Sequence, residues 1–136
     1  MSITLDQATR IIQACQDKAI SMNIHVAIAV VDARGDLVSA CRMDGSMWWW
    51  IETCRGKALA SATYGVPSVE LLDRLNRPTT WTMIAIHDGR MTPAQGAVPI
   101  IKDGIMIGAV GIGGGTGEQD EEIAISGAKA IQGSSA

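Results

Sequence analysis

The stretch VPIIKDGIMIGAVGIGGGTGEQDEEIA, Val98 to Ala124, reads without interruption as strand, hairpin turn, second strand, glycine loop and acidic helix start. Lys102-Asp103-Gly104 separates the apolar runs PII and IMIGAVGI. Asp-Gly is a strong short hairpin signal, because both central residues of a primed turn need positive φ. The chain therefore turns back on itself here, which predicts an antiparallel pair.

Gly113, Gly114 and Gly115 then remove every Cβ from a segment that Thr116, Glu118, Gln119 and Asp120 convert into the first turn of a helix. A helix N-terminus offers unpaired N–H groups. They can bind an anion, be capped by the side chain of Thr116, or take up a substrate oxygen. A tight strand-to-helix turn, with glycines that merely allow close packing, is the alternative.

Outward from this stretch the same rules order the rest of the chain. Thr4-x-x-Gln7 is a capping box, and Leu5, Ala8, Ile11, Ile12, Cys15 and Ala19 recur at helical spacing. His25 to Val31 and Leu37 to Met43 read as strands joined by a turn at Asp32 to Asp36. Ser46 is placed to cap a helix running to Thr63, which Gly65-Val66-Pro67 stops. Ser68 is placed to cap a short helix, Val69 to Asn76, ended by Arg77-Pro78. Trp81 to Ile86 reads as a strand, His87 to Gln95 as a loop, and Glu118 to Ile131 as the last helix, with a fraying tail from Gln132 to Ala136. The order α-β-β-α-α-β-β-β-α, with hairpins in place of crossovers, predicts an α+β sandwich with an antiparallel sheet.

The length of 136 residues suits one domain, residues 1–136. A net charge of -3 and the lack of any basic cluster argue against nucleic acid or an anionic membrane as partner. The N-terminus has no basic segment followed by an apolar one, and no apolar run approaches the roughly 20 residues of a membrane span. Cys15, Cys41 and Cys54 lack CxxC spacing and read as buried thiols in a reducing cytoplasm. Of five aromatic residues four are Trp, three of them adjacent. Neighbours on a helix point about 100° apart, so Trp48, Trp49 and Trp50 cannot all turn inward.

Three blocks carry a family resemblance: AIAVVDARGDLVSACRMDG at 27–45, RGKALASATYG at 55–65, and the stretch at 98–124. In order and spacing they resemble the GlcG/HbpS family, also known as the haem-degrading domain family, over nearly the whole chain. The resemblance implies a profilin-like sandwich on a five-stranded antiparallel sheet, assembled into homo-oligomers of two or more copies. It also implies a cytoplasmic small-ligand-binding protein that takes haem or a related carboxylate-bearing tetrapyrrole. Members include haem-binding proteins, a domain fused to corrinoid adenosyltransferases, and stand-alone proteins encoded near catabolic genes.

The residues sort into roles on chemical grounds. His25 and His87 are the only imidazoles, so an iron ligand would be one of them, and His25, at the start of a strand, is the metal candidate. His87, in a loop beside Asp88-Gly89, reads as the more exposed of the two. Neither lies in a metal-binding spacing or in the matched motifs. Arg42 and the backbone of Gly114, Gly115 and Thr116 can grip a carboxylate, with Trp48 or Trp50 covering a flat apolar part. Lys57, mid-helix, is a candidate proton shuttle or carbonyl-binding amine with Glu118 or Asp120 as partner, or simply an ion pair fixing the last helix.

Two other readings stand beside ligand binding. One is a cofactor-free isomerase, lyase or hydratase acting on a small organic or aromatic acid in a catabolic pathway, with Lys57 and Glu118 moving protons. The other is an accessory subunit that docks on a partner chain through Trp48 to Trp50.

Overall fold

The capping box at Thr4 forms: the Thr4 hydroxyl accepts from the Gln7 amide at 3.1 Å, and Gln7 Oε1 accepts from the Thr4 amide at 2.9 Å. It opens helix α1, Leu5–Ser21, whose buried stripe is Ala8, Ile11, Ile12, Cys15 and Ala19. The structure, a computed structural model, describes residues 2–132. Strands β1, Ala27–Asp32, and β2, Leu37–Arg42, follow as a hairpin. Helix α2 spans Trp50–Tyr64, a 3-10 helix Ser68–Arg74, and helix α3 Pro78–Ile86. Strands β3, Ala97–Lys102, and β4, Ile105–Gly113, lead into helix α4, Gly117–Lys129. The Asp-Gly turn is as expected, with φ of 53° at Asp103 and 77° at Gly104.

The sheet is antiparallel throughout, in the order β2-β1-β4-β3. Alternation along the strands divides its two faces. Ile28, Val30, Ile100, Ile107, Val110 and Ile112 pack under α1 and α4. Each fully buried side chain of this size contributes about 1.5–3 kcal/mol. The opposite face is built of small residues and receives α2: Ala29 meets Cys54, and Val31 and Ala109 meet Ala58 and Ala62. The fold is thus an α+β sandwich with a sheet between helices.

Four sequence expectations are corrected. Among the described residues the sheet has four strands, not the five that the resemblance implies. Trp81 to Ile86, read as a strand from its Trp, Thr and Ile content, belongs to helix α3. Pro78 sits in the first turn with its φ already helical, and that signal outweighs β propensity. Helix α2 begins at Trp50 with no side-chain cap, while the Ser46 hydroxyl is buried without a hydrogen-bond partner. The Ser68 hydroxyl does not cap its helix either: it donates to the Ala94 carbonyl at 2.6 Å and accepts from the Ala97 amide at 3.0 Å, tying the 3-10 helix to β3. The stop at Gly65 is real, with a left-handed φ of 69°. Of the tail expected to fray, Gly133 to Ala136 lie outside the described residues.

Among the described residues no helix is long and apolar enough to cross a membrane. Helix α3 is the least embedded element: only Thr80 is buried, Met83 and Ile84 lean on Leu59, Leu71 and Met91, and Trp81 and Ile86 are exposed.

The seating of α2 depends on Gly111, where an added Cβ would overlap the Cys54 carbonyl and lie 2.9 Å from the Ala58 amide. Gly111→Ala is therefore expected to cost about 1–3 kcal/mol through overpacking, read as a lower denaturant midpoint. An unchanged midpoint would mean that α2 slides freely on the sheet.

Candidate functional site

Strand β4 delivers the glycine loop to the start of α4, and there the chain satisfies its own amides. The Gln119 amide donates to Thr116 Oγ1 at 3.1 Å, the Thr116 amide to Gln119 Oε1 at 2.9 Å, and the Gly115 amide to Asp120 Oδ1 at 2.8 Å. Of the alternatives open from sequence, capping is the one the structure realises. The amides of Gly115 and Thr116 are therefore not open to a ligand carboxylate, a correction to the anion-binding expectation.

Asp120 also receives Lys57 from across the end of the sheet. Lys57 Nζ lies 3.1 Å from Asp120 Oδ2 and donates to the Ile112 carbonyl at 2.9 Å, with Lys57 8% and Asp120 2% exposed. Burial raises the Asp120 pKa above the ordinary carboxylate range, while the charge of Lys57 and hydrogen bonds from Gly115 and Lys57 pull it back. Glu118 is exposed in the first turn of α4, so the pairing of Lys57 with Glu118 is replaced by Lys57 with Asp120.

The pair borders a cleft of about 260 Å³ whose walls include Trp49, Trp50, Thr53, Thr92 and Gly114. The Trp50 ring lies so close to Gly114 that an added Cβ would stand 2.8 Å from it. The structure thus brings Lys57, Trp50, Gly114 and Gly115 together. It leaves the other candidates outside the cleft. Trp48 is 69% exposed and meets Trp49 edge-on at 5.6 Å. Arg42 is exposed at the end of β2, opposite Ala27, and His25 is exposed with its ring beside Gly45.

A larger cavity, of about 600 Å³, lies on the other flank of α2 and was not foreseen. The β1–β2 turn contributes Arg34, α2 contributes Arg55 and Leu59, and the end of α3 with its loop contributes Ile86, His87 and Arg90. Gly56 lets that loop cross α2: a Cβ there would overlap the Arg90 carbonyl and Thr92 Oγ1, and the Thr92 amide donates to the Gly56 carbonyl at 3.1 Å. Thr53 and Thr92 border both cavities.

His87 is half-buried, less exposed than His25, the reverse of the sequence expectation. Its Nδ1 is 2.8 Å from the Met83 carbonyl. A carbonyl only accepts, so Nδ1 carries the hydrogen, and in the neutral ring Nε2 keeps a lone pair able to ligate a metal. Arg34 is 3.7 Å from Asp36, whereas among the described residues Arg55 and Arg90 make no ion pair. No local motif announces this group, because its members come from a turn, a helix and a loop.

The thiols are poor nucleophiles. Burial pushes Cys54 up to about 12 and raises Cys15 and Cys41 as well. Among the described residues no cluster of three or more His, Cys, Asp or Glu could hold a metal ion.

The family model described as haem degrading protein HbpS-like matches residues 3–129. Protein GlcG of Escherichia coli K12 is 32% identical over 110 residues, 81% of this chain and 80% of that protein. An uncharacterized 15.0 kDa protein from the dhaT-dhaS intergenic region of Citrobacter freundii is 31% identical over 124 residues, 90% of this chain and 87% of that one. The crystal structure of a PduOC:heme complex matches with a TM-score of 0.84 and 26% identity, covering 96% of each chain.

Removing one partner of the buried pair strands a charge, so Lys57→Met and Asp120→Leu are each expected to destabilise by about 3–5 kcal/mol. The double variant should lose much less than the sum, since neither charge then remains. Additive losses in denaturant titrations would show that the two side chains are not energetically coupled.

Proposed function

As the chain belongs to the HbpS-like family, we propose that it binds haem or a related flat, carboxylate-bearing tetrapyrrole, in the cavity between α2, the β1–β2 turn and the loop after α3. The observation that carries this reading is His87. Its Nδ1 is held by the Met83 carbonyl, leaving Nε2 as a free ligand on a ring that borders a 600 Å³ cavity. That volume falls within the roughly 300–1,000 Å³ of small-molecule and cofactor sites.

The lining suits such a ligand in three respects. His87 supplies an iron ligand of the commonest protein type. Leu59 and Ile86 offer apolar surface to a macrocycle. Arg55 and Arg90 can each meet a carboxylate through a guanidinium fork. Asp36, Glu52 and Asp88 balance the three arginines in charge, so recognition rests on directional pairs and not on a net positive field. Bound haem would supply iron-centred redox or gas-binding chemistry, and the residues of this chain would hold and orient it. The complex of PduOC with heme supports the ligand class in a protein of the same fold. Trp48 and Trp49, both exposed, suit contact with a second copy of the chain.

Titrating haem into the protein is expected to give a stoichiometric Soret shift that His87→Ala abolishes and His25→Ala leaves intact. Each charge-assisted hydrogen bond is worth about 1.5–3 kcal/mol. The double change Arg55→Ala, Arg90→Ala should therefore weaken binding by about tenfold or more. No Soret shift in the unaltered protein would overturn haem binding. Loss in His25→Ala with retention in His87→Ala would move the iron to the other histidine.

A further inference from the structure

The cleft on the opposite flank of α2 has no part in that binding, yet it contains a buried amine with a built environment. Lys57 Nζ is fixed by two acceptors, the Ile112 carbonyl at 2.9 Å and Asp120 Oδ2 at 3.1 Å. An ammonium carries three hydrogens, and among the described residues the third meets no hydrogen-bond acceptor. Gly96 brings the backbone so close that a Cβ there would stand 2.9 Å from Nζ, which leaves the amine little freedom to move. Although nine-tenths buried, Lys57 borders the cleft and can be reached through it.

We propose that Lys57 is an imine-forming lysine and that the cleft between Trp50 and the glycine loop receives a small neutral aldehyde or ketone. Three observations narrow the ligand. The space of about 260 Å³ admits only a small molecule. Among the described residues Lys57 and Asp120 are the only charged groups lining it, one of each sign, so no spare cation there waits for a carboxylate. The Trp50 ring against Gly114 gives a flat wall for a planar carbonyl group.

The bond changes balance with the groups present. One proton leaves the Lys57 ammonium for Asp120 Oδ2, and the freed lone pair on Nζ forms a bond to the carbonyl carbon. A second nitrogen proton moves to the former carbonyl oxygen, giving the carbinolamine. Asp120 then returns its proton to that hydroxyl, the C–O bond breaks, and water departs, leaving a protonated imine beside an ionised Asp120. No oxidant or further reactant is needed. Burial raises the proton affinity of Asp120, which suits a carboxylate that must hold a proton in mid-sequence.

The test uses the unaltered protein, so folding of variants does not enter. Acetaldehyde is added with sodium cyanoborohydride, which reduces any imine to a stable secondary amine, and labelled peptides are mapped by mass spectrometry. Lys18, Lys102 and Lys129 serve as internal standards. Lys57 is expected to label about a hundredfold faster than these three, as a positioned proton acceptor allows. Pyruvate, which adds a carboxylate, should show no such preference. Labelling of Lys57 no faster than the standards would overturn the imine role. Preferential labelling by pyruvate would overturn the assignment to neutral carbonyl compounds. Neither result depends on whether haem binds across the helix.

Discussion

The contact between Lys57 and Asp120 holds the ends of the architecture together. It joins α2, on one face of the sheet, to the first turn of α4, which packs on the other, and it does so at the end of β4. Asp120 uses its second oxygen to fix the Gly115 amide, and Lys57 donates to the carbonyl of Ile112. Four groups, from α2, β4, the glycine loop and α4, are thereby satisfied in a place where each alone would be costly. Remove that junction, and the glycine loop, the start of α4 and the inner wall of the cleft lose a common anchor.

The second constraint is the thinness of the sheet face under α2. Ala27, Ala29, Ala109 and Gly111 leave the helix backbone close to the strands, and Gly56 lets the loop after α3 pass equally close on the far side. Helix α2 becomes a narrow partition. One flank carries Lys57 and Trp50, the other Arg55 and Leu59, and Thr53 touches both spaces. Two chemically unlike cavities therefore sit side by side, a small one whose single buried ion pair cancels in charge and a larger one with several guanidinium and carboxylate groups.

Much of this could be read from residue order, and the failures have physical causes. The capping box at Thr4, the Asp-Gly hairpin and the stop at Gly65 are local, each decided within four or five residues, and all three appear as expected, whereas at Thr116 the sequence leaves several outcomes open and the structure selects capping. Helix α3 departs from the strand expectation because the proline that starts it outweighs the β propensity of Trp81 to Ile86. The site was only half visible. The sequence groups Trp50 and the glycine loop with Arg42 and gives Lys57 a separate role, and the choice between Glu118 and Asp120 as its partner turns on which face of α4 looks inward, of which two carboxylates two residues apart carry no mark. The cavity of His87, Arg55 and Arg90 depends on a turn, a helix and a loop that meet only after folding.

The shallow seating of α3 has a consequence for how long the larger cavity keeps its shape. Met83 and Ile84 are its main holds on the body, whereas β1 and β4 are buried on both faces. In such a molecule the backbone amides of the inner strands exchange with solvent only when the whole fold opens, while those of a weakly held helix exchange through a local excursion. Met83, whose carbonyl sets the tautomer of His87, lies in that helix. Were the last turn of α3 to unwind, the imidazole would be free to trade its proton between nitrogens, and a ligand bound to Nε2 would hold that turn closed.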